Sequence, residues 1–349
     1  MNSKSRRQRI HTALIHLVLM LGSVVFLTPF VWLLSTSVKE EEDMLRYPPV
    51  WVPRRQEQVM VDGKARGLSL MAVDGRSVRV AEMEELEDGS KKVRILDGQP
   101  DAGAVVIAVP GSLTKQKVVG FKWRNYTDAL DFLPEGTMRG LVFLQNTLII
   151  TLLSILGTLV SSSMVAYSFA RLRWPGRDTI FAVLLATMMI PGAVTMIPVF
   201  LIFRWLGWVD TLNPLWVPAF LGGPFAVFLL RQFFLTIPRD LEEAARLDGA
   251  GYWTTYWRIM LPLVKPALAT LTIMTFMGSW NNFMGPLIYL NSPEKMTLSY
   301  ALQLFQGEHS TEYGMVMAAS TMVMLPVLAI FFFTQRYFIE GIALTGMKN

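Results

Sequence analysis

The chain has no cysteine among its 349 residues and only three histidines. The first absence excludes disulfides, thiolate metal sites and dithiol redox chemistry. His11 and His16 stand near the N-terminus and His309 near the other end. No cluster of imidazoles is available to hold a metal ion, and neither a metal nor another cofactor is expected. Charge is scarce as well: Asp, Glu, Lys and Arg make up 17% of the chain, against about 25% in an ordinary soluble domain. A phosphate-binding loop is also missing, because Gly63-Lys64 is followed by Ala65 and no other Gly-Lys pair occurs. The chain does not hydrolyse ATP by that route itself.

What fills the space is apolar: 52% of the residues, with a mean hydropathy of +0.39. Residues 38–140 hold 33 of the 59 charges, and the other 246 residues share the remaining 26. Six blocks carry no Asp, Glu, Lys or Arg, at 10–38, 140–170, 179–203, 211–230, 266–293 and 313–335. A helix of about 20 residues crosses a hydrocarbon core of roughly 30 Å, so the blocks read as six transmembrane helices. The first block follows Lys4, Arg6, Arg7 and Arg9, as a signal peptide would. It is longer than a signal core and ends without a small-residue cleavage site, so an uncleaved first helix is expected.

Short cytoplasmic loops are rich in Lys and Arg. The N-terminal arm, the connection with Arg171, Arg173 and Arg177, and that with Arg231, Arg239, Arg246, Arg258 and Lys265 are basic. All three are expected in the cytoplasm, with both termini. The long stretch after the first block then lies outside, and its charge does not vote because long loops translocate regardless of it. Within it, residues 54–120 hold 11 basic and 10 acidic side chains, a balance that makes no polyanion-binding patch and no nucleic-acid partner. Asp62-Gly63, Asp74-Gly75, Asp88-Gly89 and Asp97-Gly98 separate β-forming stretches at 68–73, 77–80, 92–96 and 105–109. Asp-Gly between such stretches signals hairpins, and a small β-rich external domain is expected. The competing reading is a disordered polar insert, favoured by the acid cluster at 82–88.

No Asp, Glu, Lys or Arg lies inside the six blocks, which weighs against a proton- or ion-coupled carrier, although hydroxyls and carbonyls alone can hold Na⁺. A serine at membrane depth without a His or Lys base is not a catalytic site, so no enzyme is expected. The connection at 236–262 is the most patterned. Pro238 is placed to open a helix, with Asp240, Glu242 and Glu243 in its first turns, and Gly249 to stop it. Leu241, Ala244, Ala245 and Asp248 then share a face. Periodicity alone allows a helix lying on the lipid surface or one that docks on a protein.

The spacing of Glu243-Ala244-Ala245, then three residues to Gly249, nine more to Ile259, and one to Leu261-Pro262 resembles the EAA loop of permease subunits in binding-protein-dependent ABC importers. The resemblance covers most of the chain outside 54–120. It includes Asn146-Thr147, Met189-Ile190-Pro191, Trp280-Asn281-Asn282-Phe283 and the tail at 341–348. It is closest to the carbohydrate-importing branch, and there to the shorter maltose-type permease subunit. It implies an all-α membrane protein of the type I ABC importer fold: six transmembrane helices with a β-rich external insert between the first and second. The organisation would be an arm and first helix at 1–53, the insert at 54–120, and a five-helix core at 121–349 carrying the coupling loop 236–262. Family members usually pass almost directly from a stretch like Pro48–Pro53 to one like Trp123–Tyr126, so residues 54–120 depart from the pattern.

The resemblance further implies that Glu243, Ala244, Ala245, Asp248 and Gly249 contact a cleft on an ATPase subunit, with Ile259, Leu261 and Pro262 anchoring the loop. Two ATPase subunits, a second permease subunit, a solute-binding protein and the lipid bilayer of a bacterial or archaeal cytoplasmic membrane would complete the machine. Its cargo would be a sugar or related polyol. Trp280, Asn281, Asn282 and Asn146, with Gln145 nearby, are candidates for the substrate path, because sugars suit amides and aromatic faces; such residues also serve as interhelical glue. Residues 291–312 correspond by analogy to a loop reaching toward the binding protein. The alternatives are a self-sufficient carrier or channel and a membrane scaffold for the β domain. Neither accounts for the pattern at 243–262.

Overall fold

The structure, a computed structural model, describes residues 3–73, 76–96, 102–306 and 312–346, with side chains from 10 to 333 apart from the gaps and residue 73. Two compact units emerge, one of residues 1–129 with 311–321 and one of 130–310 with 322–349.

In the first unit, helix α1 (Ser3–Ser37) contains the apolar stretch Ile10–Ser37, whose hydrophobic window has none of its residues buried. An apolar helix bare on every side is suited to lipid rather than water. Its end is fastened by polar groups. Lys39 is buried, with Nζ 3.8 Å above the Trp32 ring and donating to Thr36 Oγ1 at 3.2 Å. Burial pulls the Lys39 pKa down, with partial compensation from Asp43. Asn125 Nδ2 donates to the carbonyls of Ser37 and Lys39 at 3.0 Å each, and the Tyr126 hydroxyl lies 2.8 Å from Ser37 Oγ.

Between these points the described residues form eight strands. β1 (Arg54–Gln56) pairs with β8 (Lys117–Val119), and β2 (Gln58–Val61), β3 (Lys64–Val73), β4 (Arg76–Glu85), β5 (Lys91–Ile95) and β6 (Val105–Ala108) form an antiparallel meander. β7 (Leu113–Lys115) adds to β3. The β2–β3 turn has φ of 51° at Asp62 and 74° at Gly63, the two left-handed residues of a type I′ hairpin. At the β4–β5 turn Gly89 has a φ of 78°, and Asp88 Oδ1 accepts from the Ser90 amide at 3.0 Å. Asp74-Gly75 and Asp97-Gly98 lie outside the described residues. One face buries Met71, Val80, Val93, Ile95 and Ala108. Glu82, in the acid cluster, is tied down rather than repelled: it accepts from Gln56 at 2.7 Å, Ser69 at 2.6 Å and Lys91 at 3.0 Å. These bonds outweigh desolvation and hold its carboxyl below the usual range.

In the second unit, helix α2 (Leu141–Arg171) is the backbone of the core. Ser154, Gly157 and Ser161 present a small-residue stripe to the segment Asn213–Leu221, which lets the two approach closely. Ser161 Oγ donates to the Ala219 carbonyl at 3.0 Å, and a Cβ on Gly157 would sit 2.4 Å from the Phe220 ring. Further along, Tyr167, Phe169 and Ala170 join Val227, Leu230 and Phe234 of α5 (Pro224–Thr236) and Leu271 of α7 (Lys265–Trp280) in one buried cluster.

The expectation of six spans needs refinement. Among the described residues, four helical stretches are long and apolar enough to cross a membrane: Ile10–Ser37, Leu141–Arg171, Asn213–Thr236 and Tyr313–Phe333 of α8 (Tyr313–Gly346). Two further candidates are bent pairs, so the count reaches six only if each pair is one span. One is α3 (Arg177–Thr187) with α4 (Gly192–Trp205), bent by 100°, and the other is Tyr252–Leu263 with α7, bent by 75°. Proline explains both breaks: Pro191 ends the first helix of its pair, and Pro262 and Pro266 flank the second break at Val264.

Candidate coupling site

The patterned loop folds into α6 (Asp240–Leu247), with Asp240, Glu242 and Glu243 in its first turn against the positive end of the helix dipole. It begins two residues later than Pro238. It stops at Gly249, whose φ is 80°. Gly249 N donates to the Arg246 carbonyl at 3.0 Å and Ala250 N to the Ala245 carbonyl at 2.8 Å, the paired bonds of a Schellman termination. Any side chain at 249 would strain that left-handed residue.

The face expected to dock is divided. Glu243, Ala244 and Asp248 are exposed, with Leu241 and Leu247 beside them, whereas Ala245 is buried at 5% exposure together with Glu242. Ala245 therefore faces its own chain and presents little surface to a partner. The cause is Arg171 at the end of α2. Its guanidinium donates to the carbonyls of Phe234 and Ile237 at the end of α5, and its Nε lies 3.3 Å from Glu242 Oε1. That last contact lacks hydrogen-bond geometry and acts by charge alone. One arginine thus closes the C-terminal carbonyls of α5 and draws the first turn of α6 inward. A lone Glu next to the motif carried no signal of this role, because its partner lies 71 positions away.

Of the expected anchors, Leu261 packs against the core cluster of the second unit. Ile259 and Leu261 are half-buried and Pro262 is exposed, while Tyr256, Met260 and Val264 are buried. Residues Tyr256–Met260 form a π-helical turn, which shifts the buried face by one position relative to an α-helix. The Tyr256 hydroxyl lies 2.7 Å from Ser163 Oγ of α2, and its ring centroid lies 5.2 Å from that of Tyr167.

Of the residues proposed to line a substrate path, two are committed elsewhere. Asn146 is buried and donates to the carbonyls of Glu294 at 2.8 Å and Met296 at 3.0 Å, and its neighbour Thr147 accepts from Leu298 N at 2.9 Å. The Asn146-Thr147 pair is a clamp on that connection. Trp280 is 1% exposed, stacks on Phe276 at 5.3 Å and donates from Nε1 to the Val323 carbonyl at 3.3 Å. Both side chains are buried and their amide or indole N–H groups are occupied within the chain. Asn282 Oδ1 accepts from Gly285 N at 3.0 Å in a turn after α7. Asn281 is exposed, as is Gln145.

A second polar hub had no sequence signal. Asp210, at a left-handed φ of 57°, accepts from the amides of Asn291 and Ser292 at 2.9 Å each, from Ser292 Oγ at 2.6 Å and from Lys295 Nζ at 2.9 Å. Desolvation would raise its pKa, but the bonds from Ser292, Asn291 and Lys295 outweigh it and hold the carboxyl far below the usual range. Among the described residues no group of three or more His, Asp or Glu is placed to hold a metal ion.

Residues 157–343 match the family model described as binding-protein-dependent transport system inner membrane component. The arabinooligosaccharides transport system permease protein AraQ of Bacillus subtilis is 38% identical over 233 residues, 67% of this chain and 80% of that protein. The lactose transport system permease protein LacG of Rhizobium radiobacter is 33% identical over 56% of this chain and 71% of its own length. The sn-glycerol-3-phosphate transport system permease protein UgpE of Pectobacterium atrosepticum is 31% identical over 71% and 86%. A chain in the crystal structure of a bacterial ABC transporter involved in the import of the acidic polysaccharide alginate superimposes with a TM-score of 0.65 at 21% identity, covering 97% of this chain and 99% of its own. The fold is that of a type I ABC importer permease, and the chain belongs to the family of inner membrane components of binding-protein-dependent transport systems.

Proposed function

We propose that this chain is one of two permease subunits of an ATP-driven importer, moving a sugar or related polyol by alternating access. Six spans, counting each bent pair as one, leave both termini, the 171–177 connection and the loop 236–262 in the cytoplasm, and the strand domain 54–120 outside facing a solute-binding protein. The observation that carries the reading is α6: a short helix with an exposed Leu241, Glu243, Ala244, Leu247 and Asp248, sharply ended at Gly249 and fastened to two core helices by Arg171. Such a helix suits docking in the cleft of an ATPase subunit and passing its motion on to the spans. The helix α4 has none of its residues buried, leaving a face for the second permease chain and lipid. The cargo class rests on relatives named for arabinooligosaccharide, lactose and glycerol-3-phosphate transport. Asn281 and Asn282 remain the candidate contacts for it.

In a pull-down from detergent-solubilised membranes, an ATPase subunit is expected to co-purify with this chain. Gly249→Asp, which strains the helix stop, and Glu243→Lys, which reverses an exposed charge, abolish that recovery. Solute flux catalysed in liposomes by the purified chain alone, without ATP, overturns the reading in favour of a self-sufficient carrier.

A further inference from the structure

At the foot of α2 a cleft of about 290 Å³ is lined by Arg171, Arg173, Arg177, Arg239 and Arg246, with Glu242, Glu243 and Tyr252. A shallower hollow of about 520 Å³ shares Arg173, Arg177 and Arg239 and reaches Asp178 and Thr179 at the start of α3. Two of the five arginines have carboxylate partners: Arg171 has Glu242, and Arg177 has Asp178 at 2.9 Å. Among the described residues, Arg173, Arg239 and Arg246 have no carboxylate within 4 Å. The Arg246 guanidinium lies 5.2 Å above the Tyr252 ring, and Glu243 is the cleft's other acid. Three unpaired guanidiniums sharing one concavity repel one another, and an anion that accepts from several of them relieves the repulsion.

The surroundings say which anion. Arg171 is the last residue of a membrane-length apolar helix. Ile180 and Val183, which follow the hollow's Thr179 in α3, are exposed, and so are Trp253 and Trp257, which follow the cleft's Tyr252 and stack with rings 6.2 Å apart. The hollow's Asp178 and Thr179 lead directly into the exposed Ile180 and Val183, and the cleft's Tyr252 into the exposed Trp253, so guanidiniums, apolar side chains and an indole adjoin one another, the combination a phospholipid at a membrane surface calls for. An acidic loop of a protein partner would need the arginines but would have no use for the bare apolar flank of α3.

We propose that this cleft binds the headgroup phosphate of an anionic phospholipid, with its acyl chains along Ile180 and Val183. The phosphate accepts from Arg173, Arg239 and Arg246, next to the first turn of α6, so an occupied site steadies the loop helix from the lipid side. The proposal rests on the proposed reading only in setting this end of α2 in the cytoplasmic leaflet; lipid binding itself needs neither ATP nor a partner.

The test is native mass spectrometry of the full-length chain, purified with whatever subunits accompany it, titrated with phosphatidylglycerol or phosphatidylcholine. Selective retention of phosphatidylglycerol is expected, unaffected by millimolar inorganic phosphate and weakened at least tenfold in Arg173→Gln/Arg239→Gln/Arg246→Gln. The single variant Arg173→Gln, at an exposed position, guards against misfolding and is expected to weaken retention severalfold at an unchanged melting temperature. Equal retention of phosphatidylcholine, displacement by inorganic phosphate, or undiminished phosphatidylglycerol binding by the triple variant overturns the proposal. Loss of the ATPase subunit from the triple variant with lipid retention intact also overturns it, assigning the arginines to the protein partner. If instead lipid binding behaves as expected while no ATPase subunit ever co-purifies, the importer reading fails and the lipid site stands.

Discussion

Asp210 carries four hydrogen bonds on one carboxylate, two from backbone amides and two from side chains. Charge-assisted bonds contribute about 1.5–3 kcal/mol each at most, part of which an amide retains. Asp210→Asn is therefore expected to lower stability by about 2 kcal/mol in thermal unfolding of the detergent-solubilised chain. The pH dependence has a definite sign. The folded pKa lies below the unfolded value of about 3.9, so the stabilisation is fully present above that value and is lost as pH falls toward the folded pKa. The difference between parent and variant melting temperatures should be flat above about pH 5 and shrink below about pH 4; a constant difference down to pH 3 would contradict this account. Arg171 and Glu242 illustrate a different economy. Both are almost fully buried, at 3% and 9% side-chain exposure. Burying two charges costs as much as their attraction returns, so the pair contributes orientation more than stability.

At the scale of the element, the loop helix has an inner and an outer face one residue apart. Ala244 is exposed and Ala245 buried, although in the sequence they are interchangeable. Ala244→Lys is expected to leave the stability within about 0.5 kcal/mol of the parent while abolishing recovery of the ATPase subunit. Ala245→Lys buries an unpaired charge and should destabilise the chain by about 3 kcal/mol or more. The same melting curves and pull-downs check both, and equal behaviour of the two variants would remove the two-faced description. Helix start, helix stop and acidic first turn were legible because each depends on residues within one turn of its neighbours. The buried face was not, because it depends on Arg171 from another helix. The π-helical turn at Tyr256–Met260 escaped notice for a related reason. It turns Tyr256 and Met260 inward while Leu261 stays packed at the edge of the same core, and the packing of Tyr256 against Ser163 and Tyr167 favours that register.

At the scale of the molecule, the strand domain is attached by paired ends. Arg54 faces Val119 and Gln56 faces Lys117 across the β1–β8 ladder, so the chain enters and leaves at neighbouring points. Lys117 must stay, because it pairs with Asp43 at 2.8 Å, and Asp43 is buried. Replacing residues 57–116 by a two-residue Asn-Gly turn between Gln56 and Lys117 preserves both features. The shortened chain is expected to reach the membrane, to melt cooperatively and to retain its ATPase subunit at the parental level. Loss of the ATPase subunit would mean that the strand domain is part of the core fold rather than appended to it. A companion assay of solute-binding protein recovery would then locate its role.

The sequence by itself determined the membrane class, the apolar blocks, the strand-forming stretch and the motif of the family. Each of these is written in local composition or in fixed spacing along one chain. Tertiary structure alone decided that the apolar block 179–203 is broken in its middle and that the helix leading into block 266–293 bends at Val264, that Asn146 and Trp280 are buried and hydrogen-bonded to distant carbonyls, and that Arg171, Glu242 and Asp210 hold the connections in place. The reason is physical. Hydrophobicity and backbone preference act within a few residues, whereas a polar group's role is set by whichever donor or acceptor meets it when distant helices close, and nothing local records that meeting.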